Sequence, residues 1–269
     1  MSIHAKPLSS SFGVEIIGLD PRNLDAEGKE AVKLLFDNHH FLLFRNAGVD
    51  EDQHLNIVKA IGPISGGDAL MKDGKQFTYI SNVHTDGRLP NGELFYHSDH
   101  MFLAKPLKGI SLYSIEAPRQ GGETRFFNAA AAYQGLPASL KERIKDLSAR
   151  HVYDYSVNRG DKRPDAEHLS DNADTYIHPL VWHHPESGTP LLFLSRLFTT
   201  DIIGLDKKES DELLDQLLDY VDSRGDDYVH KWEAGDLIIW DNLHLQHARN
   251  DFPAGERRAL RRVPIALAA

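Results

Sequence analysis

The segments Leu94-Phe95-Tyr96-His97-Ser98-Asp99-His100 and Asp241-Asn242-Leu243-His244-Leu245-Gln246-His247 hold the side chains best suited to chemistry. Side chains alternate between the faces of a strand, so His97 and Asp99, two apart, point the same way and can grip one metal ion. A second histidine must come from elsewhere. His247, which follows the apolar run Leu237-Ile238-Ile239-Trp240, is the candidate. Two imidazoles and one carboxylate on one face of a metal, with open positions opposite, suit non-haem Fe(II) and its reactions with oxygen. Zinc also takes His and Asp, so the same ligands are compatible with a zinc hydrolase, or with a metal protein that binds an acid without catalysis.

His-x-Asp recurs by chance, and the chain has a second copy, His84-Thr85-Asp86. That copy runs into Gly87, a turn signal, whereas His97-Ser98-Asp99 continues a strand-like run, which favours the latter. Fifteen histidines make any single one weak evidence. His244 competes with His247, three residues away and therefore off its face in an extended segment.

The elements that must carry these residues read as short strands with a few helices. Phe12 to Gly18, Phe41 to Phe44, Phe77 to Ile80, Gly92 to Asp99, Ile110 to Ile115 and Glu123 to Phe127 are strand-like, as are Ile177 to His183, Pro190 to Leu194, Tyr228 to Trp232, Leu237 to Trp240 and Arg258 to Ile265. Helices are expected over Ala26 to His39, from an Asp50 cap to the Gly62-Pro63 stop, after an Asn128 cap, over Pro137 to Leu147, and over Lys207 to Ser223 with its leucine stripe. The polar stretch 156–175 lacks an apolar period, and a loop of that length predicts an active-site lid. The pattern points to an α+β, mainly β fold: a jelly-roll barrel flanked by helices, built as one domain over residues 1–269.

Composition narrows the function classes. A net charge of −10 argues against binding a phosphate backbone, so nucleic acid is not an expected partner. No apolar run approaches the roughly 20 residues that span a bilayer, and the N-terminus lacks a secretory h-region. With no cysteines to staple a secreted fold, a cytoplasmic, non-membrane protein is expected. Against this acidic background Arg257-Arg258-Ala259-Leu260-Arg261-Arg262 stands out as an anion site. On a strand Arg258 and Arg262 share a face about 13 Å apart at roughly 3.3 Å per residue, while Arg257 and Arg261 face the other way, toward solvent or ion pairs.

Taken together, these parts resemble the taurine dioxygenase and 2,4-dichlorophenoxyacetate dioxygenase group of Fe(II)- and 2-oxoglutarate-dependent enzymes. The carriers are His97-Ser98-Asp99, Gly121-Gly122-Glu123-Thr124, Pro190 to Phe193 through Phe198-Thr199-Thr200, Trp240-Asp241-Asn242, His247 and the arginine cluster. Spacing adds to it: Thr124 lies 25 residues after Asp99, and Arg258 lies 11 after His247. The resemblance implies a cupin-like double-stranded β-helix with Fe(II) held by His97, Asp99 and His247, and with 2-oxoglutarate and O2 as co-substrates. It implies that Arg258 and Thr124 bind the far carboxylate of 2-oxoglutarate, and that Arg262 binds the acid group of a small anionic organic substrate. Phe198 would form an aromatic wall, with Tyr96 and Asn82 as further pocket members. The implied outcome is oxidation, most simply hydroxylation, of a sulfonate, aryloxyalkanoate or other carboxylate, with succinate and CO2 released. A desaturase-type tailoring oxidase acting on an amino-acid-derived acid is the same-chemistry alternative, and a homodimer or tetramer is the family expectation.

Overall fold

The computed structural model describes residues 3–66, 74–89, 91–154 and 168–267. In chain order the elements are β1 (His4–Pro7), β2 (Val14–Ile17), α1 (Ala26–His39), β3 (Phe41–Phe44), α2 (Glu51–Ile61), β4 (Thr78–Ser81), β5 (Leu94–His97), β6 (Gly109–Glu116) and β7 (Thr124–Asn128). They continue with α3 (Ala129–Gly135), α4 (Ala138–Ile144), β8 (Ser148–Tyr153), β9 (Asp174–Pro179), β10 (Val181–His183), β11 (Pro190–Leu192) and β12 (Thr199–Ile202). The last elements are α5 (Lys207–Arg224), β13 (Tyr228–His230), β14 (Leu237–Asp241), β15 (Leu245–Arg249) and β16 (Ala259–Ile265).

Helix ends follow their capping chemistry. Asp50 accepts from the Gln53 N–H while the Gln53 side chain returns to the Asp50 N–H, a reciprocal box that starts α2. Asp25 and Asp206 cap α1 and α5, and the Asn128 side chain accepts from the Ala130 and Ala131 N–H groups at the start of α3. The apolar stripe of α1 is Val32 and Phe36, whereas Leu34 is exposed.

The strands form four open sheets among the described residues. A seven-stranded sheet runs β1-β2-β3-β14-β6-β16-β4, and a four-stranded sheet runs β13-β7-β15-β5. The smaller sheets are β12-β8-β9 and β10-β11. None closes on itself: the largest ends at β1 and β4, and the four-stranded sheet ends at β13 and β5. The expected jelly-roll, cupin-like double-stranded β-helix is therefore corrected to a mixed α+β arrangement of several separate sheets. Short apolar runs reveal strands, but which strands pair is a non-local property that periodicity does not carry.

Two strands at the centre of the large sheet, β3 and β14 as far as Trp240, are continuously apolar because both of their faces are covered. Leu42 and Phe44 of β3 and Leu237 and Ile239 of β14 pack with Val32, Phe36, Ile57 and Val58 of α1 and α2. Phe41, Leu43, Ile238 and Trp240 point the opposite way, into a second cluster with Ile80, Ile110 and Leu112. That second face borders a cavity whose other wall is the four-stranded sheet. The third cluster packs α3 and α5 behind the four-stranded sheet. No helix among the described residues is long and apolar enough to cross a membrane. Most of the expected lid, residues 156–167 of 156–175, lies outside the described residues.

Candidate metal centre and its cavity

β15 lies between β7 and β5, and its ladder with β5 pairs His247 directly with His97. Strand β5 ends at His97, so Asp99 sits in the turn that follows and does not share a strand face with it. That turn is fixed by Asn242, fully buried just after β14: its Oδ1 accepts from the Asp99 N–H at 2.8 Å. Its amide N–H donors reach the Asp99 carbonyl at 3.0 Å and the Leu107 carbonyl at 2.9 Å. A single amide thus holds both sides of the Asp99 backbone. Asn242 stands out in the sequence only as part of Trp240-Asp241-Asn242, because only the turn's tertiary path brings it to Asp99.

The ligand atoms of His97, Asp99 and His247 all lie within 4.8 Å of one another. Asp99 Oδ1 is 3.3 Å from His97 Nε2 and 3.9 Å from His247 Nε2. Neighbouring ligands of an octahedral ion with bonds of about 2.1 Å sit about 3 Å apart, so a small divalent ion fits with slight closure. The Nδ1 of His97 lies 2.7 Å from the Phe95 carbonyl, which requires the proton there and leaves Nε2 its lone pair. Asp99 is divided: Oδ1 faces the imidazoles, while Oδ2 accepts from Arg262 Nη2 at 2.7 Å. Burial works against the Asp99 charge, but Arg262 and the two imidazoles hold its carboxyl well below the usual range. Burial pushes His247 down to about 3, so its ring is neutral and able to ligate at neutral pH.

The cavity beside these ligands is about 280 Å³. Its walls include Ile80, Leu89, Leu94, Phe102, Leu103, Ile110, Tyr153, Phe198 and Trp240, with Thr124, Arg249, Arg258 and Arg262 as polar members. Arg258 is 3% exposed, yet its guanidinium makes no hydrogen bond or ion pair among the described residues. Its one contact of note is the Phe252 ring, 6.0 Å away. Burial, reinforced by neighbouring Arg249, pulls Arg258 down to about 9, still charged at neutral pH. Arg249 differs: it donates to the carbonyls of Leu89 at 2.7 Å, Asn91 at 2.8 Å and Gly92 at 3.0 Å, and so ties down the loop over the cavity. Close backbone approach explains the glycine pair before β7. At Gly121 (φ +72°) a Cβ would fall 2.4 Å from the Asp251 carbonyl, and at Gly122 (φ +70°) 2.9 Å from Pro118.

Other candidates fall as follows. Phe198 lines the cavity and meets the His97 ring edge-on, centroids 5.4 Å apart. Tyr96 does not line it: the alternation of β5 turns its ring to the other face, over Phe127, with its hydroxyl on Asp226. Asn82 does not line it either. Its Oδ1 accepts from the Arg258 N–H at 2.9 Å and its Nδ2 donates to the Glu256 carbonyl at 2.8 Å, so it sets the start of the arginine strand. Arg257 pairs with Glu116 at the surface, but Arg261 is buried, donating to His54 at 3.1 Å and to the Asp50 carbonyl at 2.7 Å. The second His-x-Asp copy is spent elsewhere: His84 stacks on Tyr79 and Asp86 faces Lys75.

His244 belongs to a separate cluster, with His40 and His184 gathered on Asp241 Oδ2 at 2.9, 3.5 and 3.3 Å for His244, His40 and His184. The His40 and His244 rings stack at 3.8 Å, only 16° from parallel. Imidazole lone pairs lie in the ring plane, so two nearly parallel stacked rings cannot both aim at one ion. This group serves instead as a hydrogen-bonded carboxylate, with Asp241 Oδ1 accepting the Leu243 and His244 N–H groups.

Comparison with known proteins points the same way. Residues 4–263 match the family model described as "Taurine catabolism dioxygenase TauD, TfdA family". The chain is 30% identical to the alpha-ketoglutarate-dependent 2,4-dichlorophenoxyacetate dioxygenase of Cupriavidus pinatubonensis, covering 97% of each. It is 31% identical to the alpha-ketoglutarate-dependent sulfate ester dioxygenase of Pseudomonas putida, covering 99% of this chain and 90% of that one. Among solved structures, a taurine dioxygenase from Burkholderia xenovorans superimposes with a TM-score of 0.79 at 26% identity, covering 100% and 92% of the two chains. AAD-2 in complex with Mn(II) and N-oxalylglycine gives 0.81 at 25% identity, covering 100% and 99%.

Proposed function

Since the chain belongs to the TauD/TfdA family of Fe(II)- and 2-oxoglutarate-dependent dioxygenases, we propose that it oxidises a small organic acid with an apolar body, working as a single domain. The observation that carries this reading is one cavity holding both three convergent metal-ligand atoms and a buried guanidinium with no ion pair among the described residues. In the proposed arrangement His97, Asp99 and His247 would hold Fe(II) beside the cavity, with 2-oxoglutarate and O2 as co-substrates. Iron with 2-oxoglutarate bound supplies the oxidative decarboxylation that yields succinate and CO2 and oxidises a substrate carbon.

The chain's own residues orient and enclose. Arg258, with a planar fork and no counter-ion among the described residues, suits the far carboxylate of 2-oxoglutarate, and the Thr124 hydroxyl adds a donor beside it. Arg262 keeps Asp99 Oδ2 engaged and leaves Oδ1 toward the two imidazoles, and its guanidinium is also proposed to bind the acid group of the primary substrate. Phe198, standing edge-on to His97, packs against the substrate body and limits its distance from the metal ligands. The apolar walls exclude water from the reacting centre and favour an aryl- or alkyl-substituted acid over a purely polar one such as taurine.

The test is succinate release from 2-oxoglutarate and Fe(II) with aryloxyalkanoates, alkyl sulfate esters and taurine offered separately. The reading predicts release stimulated by an apolar-bodied acid and abolished by Asp99→Ala. Full turnover by Asp99→Ala, or stimulation by taurine alone, contradicts it.

A further inference from the structure

Thr124 begins β7, and the ladder with β13 pairs it with His230. Two residues beyond His230, the indole of Trp232 turns back over the ladder, edge-on to the His230 ring at 4.5 Å and 87°. Its Nε1 lies 3.0 Å from Thr124 Oγ, and the two side chains are buried, with residue exposures of 7% and 2%. An indole N–H can only donate, while a hydroxyl can both donate and accept. The direction of this bond is therefore fixed: Trp232 gives and Thr124 receives. The Thr124 proton must point away from the indole, and the hydroxyl has no other hydrogen bond among the described residues. What lies on that side is the cavity that also receives Arg258.

We propose that Trp232 is a positioning residue for the co-substrate, holding the Thr124 hydroxyl as a donor aimed into the cavity. The proposal rests on the reading above, in which the far carboxylate of 2-oxoglutarate lies between Arg258 and Thr124. A free threonine hydroxyl rotates among several staggered orientations and presents a lone pair as readily as a proton. Facing a carboxylate, which only accepts, a lone pair is repulsive. The indole N–H excludes the proton from the position facing Trp232 and so biases it toward the cavity before the keto acid arrives. With the proton turned into the cavity, the pocket end presents the guanidinium fork and one O–H, donors matched to an ionised carboxylate.

The experiment measures equilibrium binding of 2-oxoglutarate and of 2-oxobutyrate, which lacks the far carboxylate, to the Mn(II)-loaded protein by calorimetry. The variants are Thr124→Val, Trp232→Phe and the double substitution. Where Trp232→Phe lowers the thermal midpoint of the protein, benzothienylalanine at position 232 replaces the N–H by sulfur and keeps the ring shape. Each single change is expected to weaken 2-oxoglutarate about 10-fold, the lower end of the range for one lost hydrogen bond to a charged group at tenfold per 1.4 kcal/mol. The double variant should bind no more weakly than Thr124→Val alone, and 2-oxobutyrate should be unaffected throughout. Wild-type affinity in Trp232→Phe with weakened Thr124→Val overturns the role of Trp232 and leaves the carboxylate placement standing. Unchanged affinity in Thr124→Val overturns the placement itself, and the proposal with it. Equal weakening of both keto acids by Trp232→Phe, or an undiminished effect in the Thr124→Val background, shows general packing and also overturns the proposal.

Discussion

Replacing Arg258 by Met should do two opposite things at once. The chain keeps a charged guanidinium 3% exposed with no counter-ion among the described residues, and burial lowers its pKa from the ordinary arginine value to about 9. At about 1.4 kcal/mol per pKa unit, that drop corresponds to roughly 3–5 kcal/mol of destabilisation. The folded pKa lies below the unfolded one. The penalty is therefore complete below pH 9 and fades only as pH rises from about 9 toward the ordinary arginine value. Water entering the cavity screens part of it, so Arg258→Met should stabilise the metal-free protein by about 1–3 kcal/mol in urea unfolding at pH 7.5. The same substitution removes the counter-ion of the far carboxylate, which at about 2–5 kcal/mol for a buried charge pair weakens 2-oxoglutarate by roughly 30-fold or more. A site held in strain for its ligand trades stability for binding in this way. Calorimetry on the Mn(II) form gives the second number. A less stable Arg258→Met, or one that binds 2-oxoglutarate within about 3-fold of wild type, refutes the reasoning.

Asn242→Ala strips the clamp from both sides of Asp99; Co(II) affinity read from its visible bands should fall about 10- to 100-fold, and wild-type affinity in a folded variant would contradict the clamp. His151 is buried, bonded through Nδ1 to Thr199 at 3.0 Å, and burial lowers it from 6.5 to about 3. The unfolded chain therefore takes up this proton first, and stability falls as pH drops from 6.5 toward 3, by up to about 1.4 kcal/mol per pH unit. His151→Leu should flatten the stability profile between pH 6 and 4; an unchanged slope means that His151 is not protonated on unfolding.

Elements with strong local signals were legible in the sequence. The helix at Ala26–His39 and the Asp50 cap depend on neighbours within a few residues, and the run Phe41–Phe44 on burial of both sheet faces. The pairing of strands was not legible, and with it the closure expected of the sheets, because ladders join residues as distant as His97 and His247. The same limit hid the turn at Asp99. Alternation along an extended segment placed Asp99 on the face of His97, whereas the strand stops at His97 and a side chain 143 residues away holds the aspartate. Tyr96 shows alternation working against an expectation based on adjacency, since the neighbour of an inward-facing residue faces outward. Arg261 was read as a surface residue, but the carbonyls at the start of α2 and the His54 ring give it partners that only tertiary packing supplies.

The most direct measurement is the visible absorption of the protein on anaerobic addition of Fe(II) and 2-oxoglutarate. Chelation of the keto acid by iron held at His97, Asp99 and His247 predicts a metal-to-ligand charge-transfer band that needs both additions and is lost in Asp99→Ala. Absence of the band in the wild-type protein, or its persistence in Asp99→Ala, would contradict iron and keto acid meeting at these three residues.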